Sequence, residues 1–300
     1  MDPLQNTLLV IAGPTASGKT DLAIRLAQSL ETVIISADSR QFYREMNIGT
    51  AKPTPEQLAQ VPHYFINSHS IANFYSVGDF EREVLALLND LFTKHRVVVM
   101  VGGSGLYIRA VCHGVDEFPP ALPEVKQQLL SLFATEGIVK LQELLLEKDP
   151  VYHKIVDLNN PQRLIRALEV CLSSGQPFSD FRSGISTPRP FRMVIIGLEM
   201  EREILYHRIN QRVEDMMENG LLEEATQLYP FRHQNALQTV GYQELFDHLD
   251  GKCSLEEAVT LIKRNSRRYA KRQMTWLRKE PHLVWKSPDD VDAIMLMVNG

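Results

Sequence analysis

Cysteine is scarce: the 300 residues include three, Cys112, Cys171 and Cys253. An odd count at wide spacing excludes a disulfide framework and a cysteine-based zinc module, and points to a reducing cytoplasm. Long apolar runs are missing, so no segment reads as a membrane span. The polar start, Met1–Thr7, leads straight into an apolar segment without the pattern of a secretory signal. An excess of cations is missing too. With a net charge of −5, no global basicity advertises nucleic acid, and any RNA contact must come from a local patch. Internal repeats and low-complexity tracts are also absent. What remains is a chain with 44% apolar residues, enough for a sizeable core in one large domain or one domain with an insertion.

The strongest positive feature is Gly13-Pro14-Thr15-Ala16-Ser17-Gly18-Lys19-Thr20, a complete G-x-x-x-x-G-K-[ST] phosphate loop. The apolar run Leu8–Ala12 precedes it and the helix-like Asp21–Leu30 follows it, which is the strand–loop–helix setting the motif requires. Backbone N–H groups of such a loop converge on phosphate oxygens, aided by the helix N-terminus. Lys19 reaches the outer phosphate and Thr20 is the candidate Mg²⁺ ligand. The loop specifies a polyphosphate without saying which.

Apolar runs at Leu8–Ala12, Thr32–Ser36 and Val97–Gly102 read as buried parallel strands. Ser76 with Asp79 forms a capping-box start, after which Phe80, Val84, Leu87, Leu88 and Leu91 recur at helical spacing up to His95. Strand–helix alternation predicts an α/β fold: a P-loop NTPase-like core with a central parallel sheet flanked by helices. After Phe118-Pro119-Pro120 the pattern turns helical from Glu124 to Gly175, with Asn160 as cap and Pro161 at the first helical position. A Ser/Gly/Pro-rich linker, Ser173–Pro190, follows, then a strand at Met193–Leu198. We therefore expect a core in two parts, 1–116 and 191–300, interrupted by an all-helical domain at 117–190. Helices Glu201–Asn219, stopped by Gly220, and Leu255–Lys279 complete the second part.

Ligands of open parallel sheets sit at the carboxyl ends of strands. Asp38 falls at such an end and is a candidate metal ligand or general base; a turn or helix cap is the alternative reading. The strand Val97–Val101 ends in Gly102-Gly103-Ser104-Gly105 with no carboxylate. Those glycines allow close approach of a ligand or, alternatively, a tight strand–helix turn, and the Ser104 hydroxyl can meet a phosphate. Arg208 and Arg212, four apart on one helix, share a face suited to a diphosphate or to solvent. Lys263, Arg264, Arg267, Arg268, Lys271, Arg272, Arg278 and Lys279 form a basic stretch interleaved with Tyr269, Met274 and Trp276. That combination suits an RNA backbone with unstacked bases, or simply a solvated helix.

Together these segments resemble the tRNA dimethylallyltransferase (tRNA isopentenyltransferase) family, bacterial type, along nearly the whole chain. The resemblance rests on the phosphate loop, Asp38-Ser39-Arg40-Gln41-Phe42-Tyr43, Ile48-Gly49-Thr50-Ala51-Lys52-Pro53, and Val101–Tyr107. Asn160–Val170, Arg208–Val213, Val240-Gly241-Tyr242-Gln243-Glu244 and Ala270–Arg278 extend it. It implies transfer of a dimethylallyl group from dimethylallyl diphosphate to N6 of adenosine 37 in the anticodon loop of tRNAs reading codons that begin with U. The phosphate loop then holds the donor's diphosphate, with Mg²⁺ at Thr20. By matched position, Asp38 is the base that takes the amine proton, Arg212 neutralises the leaving group, and Ser104 stands for the family's threonine. Ser104, Asp38, Ser39, Arg40, Gln41, Lys126 and the run Gln162-Arg163-Leu164-Ile165-Arg166 match tRNA-contacting positions. Arg267, Arg268, Lys271 and Arg272 are further candidates for the tRNA anticodon stem-loop. Val61–Asn67 departs from the family's pattern and receives no role. A monomer with no membrane association is expected. Two other readings stay open: a small-molecule enzyme (a P-loop kinase or an adenylate isopentenyltransferase) and a nucleotide-regulated RNA-binding protein. The helical insertion and basic helix argue against the first, Asp38 beside an intact loop against the second.

Overall fold

The computed structural model describes residues 6–182, 184 and 187–300. Residues 1–5 of the polar start and residues 183, 185 and 186 of the expected linker lie outside the described residues. The chain divides into two compact units, one formed by Met1–His113 with Pro188–Gly300 and the other by Gly114–Thr187.

The first unit is built on a six-stranded sheet: β1 (Thr7–Ala12), β2 (Ile34–Ser36), β3 (His63–Tyr64), β4 (Val97–Gly102), β5 (Arg192–Leu198) and β6 (Leu283–Lys286). The order is β3-β2-β4-β1-β5-β6, and every pairing is parallel. β1 is central. Its Leu8 and Val10 enter one apolar layer, its Leu9 and Ile11 the other. That two-sided burial is why the strand reads as an unbroken apolar run rather than an alternating one. α1 (Lys19–Ser29) follows the phosphate loop and α3 (Val77–Leu91) links β3 to β4. α3 starts as its sequence predicts: Ser76 Oγ accepts from Asp79 N–H at 3.1 Å and an Asp79 oxygen accepts from Ser76 N–H at 2.9 Å. Also in this unit are α2 (Pro55–Gln60), α4 (Gly105–His113), α8 (Arg202–Glu218), α9 (Leu221–Leu228), α10 (Tyr242–Leu249), α11 (Leu255–Leu277) and α12 (Val291–Asn299).

The second unit contains α5 (Pro123–Lys148), α6 (Pro150–His153) and α7 (Pro161–Ser174) around its own apolar core. Gly137, at φ 77°, breaks α5 into two helices. Asn160 caps α7 and Gly175 ends it at φ 74°, as expected of those residues. Asp149, fully buried, accepts from Tyr152 N–H and from both the N–H and hydroxyl of Ser179. That carboxylate fastens part of the linker to the helices. The unit spans 114–187 rather than 117–190. Phe118 stacks on Phe178 with ring centroids 4.6 Å apart, which keeps the Phe-Pro-Pro cue inside the unit, and the later bound has its own reason. Arg189 belongs to the first unit, where it pairs with Glu81 at 2.5 Å and donates to the Val111 and Ala110 carbonyls. Among the described residues no helix is long and apolar enough to cross a membrane.

Candidate active site

A parallel sheet places the ends of β1, β4 and β2 side by side, and a cavity of about 570 Å³ opens there. The phosphate loop forms one wall from Thr15 to Thr20, and Asp38, Arg40, Arg212 and Arg272 stand on the others. The loop holds Ala16 at φ 64° and Gly18 at φ 84°. The left-handed turn at a β-carbon-bearing residue is a strain that surrounding contacts must hold.

The electrostatics of the loop side of the cavity suit an anion. Burial, then the nearby Arg212 guanidinium, pull Lys19 down to about 7, with Asp38 opposing. Burial also lowers Arg212, against Asp21 and Asp215. Two cations weakened in this way regain stability when a multivalent anion joins them. Lys19 Nζ donates to the Pro14 carbonyl at 2.7 Å, and Arg212 Nη1 donates to Thr15 Oγ1 at 3.2 Å. The Ser17 hydroxyl in the same loop is fully buried and has no hydrogen-bond partner among the described residues. A buried orphan of that kind is costly unless a ligand satisfies it.

Asp38 sits in a tight turn. Its Oδ1 accepts from Arg40 N–H at 2.9 Å, and Oδ2 has no hydrogen-bond partner among the described residues. Ser104 does not reach the cavity. It is buried, its Oγ accepts from Ser39 N–H at 2.9 Å, and it donates to Ser39 Oγ at 3.1 Å. The direct ligand contact expected of Ser104 is therefore replaced by a hold on the turn that carries Asp38. Tyr269 from α11 lies close to the same hydroxyl and lines the cavity.

The glycines after β4 allow close approach of other parts of the protein, and Gly102 and Gly103 also line the cavity. A β-carbon at Gly102 would lie 2.4 Å from the Ala37 carbonyl oxygen, at Gly103 2.3 Å from Gln273 Nε2, and at Gly105 2.1 Å from the Trp276 ring. Arg208 is exposed and lies off the cavity wall, whereas Arg212 is on it. Arg267 is engaged inside the fold, donating to Asn210 at 2.6 Å and packing over Tyr206. Arg268 and Lys271 are exposed. Gln41 lines the cavity while its amide donates to the Thr50 and Ala51 carbonyls. In the helical unit Lys126, Gln162, Arg163 and Arg166 are exposed, Arg166 pairing with Glu169. Leu164 and Ile165 are not: both point into that unit's core, which removes their side chains from the expected tRNA contacts.

Three site-building residues have no role in the sequence reading: Glu224 stands outside its motifs, and Tyr242 and Gln273 enter it only within stretches that carry the resemblance. Glu224, buried, accepts from the N–H groups of Asn47, Ile48 and Gly49 at 2.8–2.9 Å and from the Tyr242 hydroxyl at 2.6 Å. It fixes the 47–53 loop as a wall of the cavity. Tyr242 fills the space a side chain at Gly49 would need, 2.6 Å away. Gln273 reaches the phosphate loop itself. Lys52, lowered to about 8 chiefly by burial, bonds to the Tyr43 carbonyl and to Asn47 and Asn67, which gives the unassigned 61–67 segment a scaffolding part.

A family model described as IPP transferase matches residues 41–280. The tRNA dimethylallyltransferase of Christiangramia forsetii is 52% identical over 287 residues, covering 96% of this chain and 95% of that protein. The tRNA dimethylallyltransferase 1 of Phocaeicola vulgatus is 48% identical over 297 residues and 99% of both. Among solved structures, the full-length tRNA isopentenylpyrophosphate transferase of Bacillus halodurans superposes with a TM-score of 0.71 at 39% identity, over 98% of this chain and 95% of that one. A eukaryotic dimethylallyltransferase acting on tRNA gives 0.78 at 26% identity, over 96% of this chain and 75% of that one.

Proposed function

The chain belongs to the IPP transferase family, and from that premise we infer a tRNA dimethylallyltransferase. The reaction moves a dimethylallyl group onto N6 of adenosine 37 in the tRNA anticodon loop, on tRNAs that read codons beginning with U. The donor is dimethylallyl diphosphate. The bond from N6 to the allylic carbon forms, the bond from that carbon to the diphosphate oxygen breaks, and the amine loses one proton.

The phosphate-loop amides, the Ser17 hydroxyl, Lys19 and Arg212 hold the diphosphate and stabilise the charge it gains on leaving. Asp38 takes the amine proton, presented by a turn that Ser104 and the Arg40 N–H keep in place. Apolar side chains on the same cavity wall, among them Ile209, Val213, Met216 and Val240, suit a five-carbon branched chain and exclude water from an allylic, partly cationic transition state.

The family works with a divalent cation, and Mg²⁺ fits the donors here. Among the described residues no group of three or more carboxylate, histidine or cysteine side chains could hold a metal. One Thr20 hydroxyl beside phosphate oxygens is the oxygen-poor protein share that Mg²⁺ accepts, since it keeps most of its waters. When bound, it neutralises charge on the departing diphosphate.

On the acceptor side, exposed Arg264, Arg268, Lys271 and Arg272 of α11, and Lys126, Gln162, Arg163 and Arg166 of the helical unit, meet the RNA backbone. Those contacts offset the cost, a few kcal/mol, of turning the base out of its stack. All these groups come from one chain, so a monomer suffices, and tRNA as substrate places the enzyme in the cytoplasm.

The observation that carries the reading is the convergence of Lys19, Arg212 and an unpartnered buried Ser17 hydroxyl beside Asp38 in one cavity. Its test is product mass after incubation with Mg²⁺ and dimethylallyl diphosphate, on an unmodified anticodon stem-loop, on its guanosine-37 counterpart and on free AMP. Only the adenosine stem-loop is expected to react, without ATP. Prenylation of AMP with none on the stem-loop would overturn the tRNA assignment.

A further inference from the structure

We propose that Gln273 is a positioning residue for the donor, setting the backbone of the phosphate loop from the helix whose opposite side carries the free cations. This rests on the donor site argued above.

Gln273 is almost wholly buried, and both ends of its carboxamide are used. Oε1 accepts from Thr15 N–H at 2.9 Å, and Nε2 donates to the Gly103 carbonyl at 2.9 Å. One side chain thus ties the loop after β1 to the turn after β4. Thr15 is also gripped from α8, since its hydroxyl accepts from Arg212. With the Thr15 N–H occupied and the Ser17 N–H donating to the Pro14 carbonyl at 3.3 Å, the loop's other amides and the Ser17 hydroxyl are the loop donors left for phosphate. The strained Ala16 turn between them persists because its neighbour is fixed from two directions. Gly103 serves the arrangement by having no side chain, because a β-carbon there would lie 2.3 Å from Nε2.

One turn earlier on α11, Tyr269 lies beside Ser104, which holds the Asp38 turn. The same helix therefore braces the donor loop through Gln273 and sets Tyr269 next to the acceptor turn. Arg264, Arg268 and Lys271 stand on its solvent side. RNA seated on those cations would bear on the element that shapes both half-sites.

The test is calorimetric titration of the full-length protein with magnesium diphosphate, beside steady-state kinetics. Gln273→Met removes both hydrogen bonds at similar volume. We expect diphosphate affinity to fall roughly tenfold or more, the KM for dimethylallyl diphosphate to rise in step, and stem-loop affinity to stay within about twofold, because no RNA-facing group changes. Gln273→Glu gives a sharper signature. A protonated carboxyl offers the same acceptor and donor as the amide, whereas the carboxylate can only accept. The variant's diphosphate affinity relative to wild type is therefore expected to recover as pH falls from about 8 to about 6. A Met variant that binds diphosphate like wild type, or a Glu variant whose deficit is independent of pH, would overturn the proposal. If Gln273→Met does not fold, the Glu variant alone decides. Failure of the wild-type protein to bind magnesium diphosphate would instead remove the donor site on which the proposal rests.

Discussion

Binding of diphosphate is expected to draw a proton from solution at alkaline pH, and Lys19 is the group that takes it. In the free protein burial and Arg212 hold Lys19 at about 7, against an ordinary value of 10.5. At pH 8 roughly nine in ten molecules then carry a neutral amine. A bound diphosphate reverses the sign of the local field and restores the ammonium. The uptake should be ~0.9 proton at pH 8 and ~0.1 at pH 6. It is measured by titrating magnesium diphosphate calorimetrically in buffers of different ionisation enthalpy. Lys19→Arg is the control, because guanidinium stays protonated in both states, and the ligand's own ionisation cancels in the comparison. Equal proton uptake by wild type and Lys19→Arg at pH 8 would refute the reasoning. A second consequence has a fixed sign. With the folded value below the unfolded one, the unfolded chain binds more protons between pH 7 and 10.5. The free protein should therefore gain stability as pH rises through that window, by up to about 1.4 kcal/mol per unit from this group. Saturating diphosphate should flatten the slope.

Asp38→Asn should keep the fold and bind diphosphate normally yet lose turnover by roughly 10²–10⁴-fold, the usual share of a general base; single-turnover rates near wild type would remove Asp38 from the chemistry. Neutralising Arg264, Arg268, Lys271 and Arg272 together should weaken stem-loop binding and flatten its salt dependence, which a filter-binding series in salt reads directly, whereas an unchanged slope would make the helix face merely solvated. Arg267 is left out of that set because Asn210 and Tyr206 already engage it. Glu224→Ala strands three backbone N–H groups and the Tyr242 hydroxyl, and should cost about 3 kcal/mol or more of folding stability. Chemical denaturation measures it, and a loss under about 1 kcal/mol would show that the 47–53 loop has other support.

The parts legible in sequence are those whose physics is local. A phosphate loop, a Ser76–Asp79 capping box and an Asn160-to-Gly175 helix declare themselves within a turn or two of chain. The strands of the sheet interior do so because burial on both faces forces an apolar run. β3 and β6 do not, since they are edge strands of two and four residues with exposed positions. The helical period sets Leu164 and Ile165 on the inner face with Leu168 and Cys171, and both side chains are buried there. The glycines at 102, 103 and 105 raise a different difficulty. Sequence reports that something comes close, but not what, and here it is Ala37, Gln273 and Trp276.

The same limit hides the groups that shape the cavity. Glu224 acts on backbone about 175 residues away and Gln273 on backbone 258 residues away. Neither stands in a pattern that local chemistry would single out, because an acid on a helix reads as a solvated charge and a glutamine as a neutral helix former. Val240-Gly241-Tyr242-Gln243-Glu244 shows why the fold nevertheless demands such residues together. Gly241 takes φ 100°, the Tyr242 hydroxyl donates to Glu224, and Glu244 accepts from Gly241 N–H and from Asn265 of α11. This five-residue stretch thereby connects the 47–53 wall to the helix that braces the phosphate loop. The groups we propose for the reaction, Asp38, Lys19 and Arg212, are few, and each lines the cavity on backbone that these buried pairs hold. Precise placement of a base and a leaving-group clamp is a property of that second set of residues, and it becomes visible only once the chain is folded.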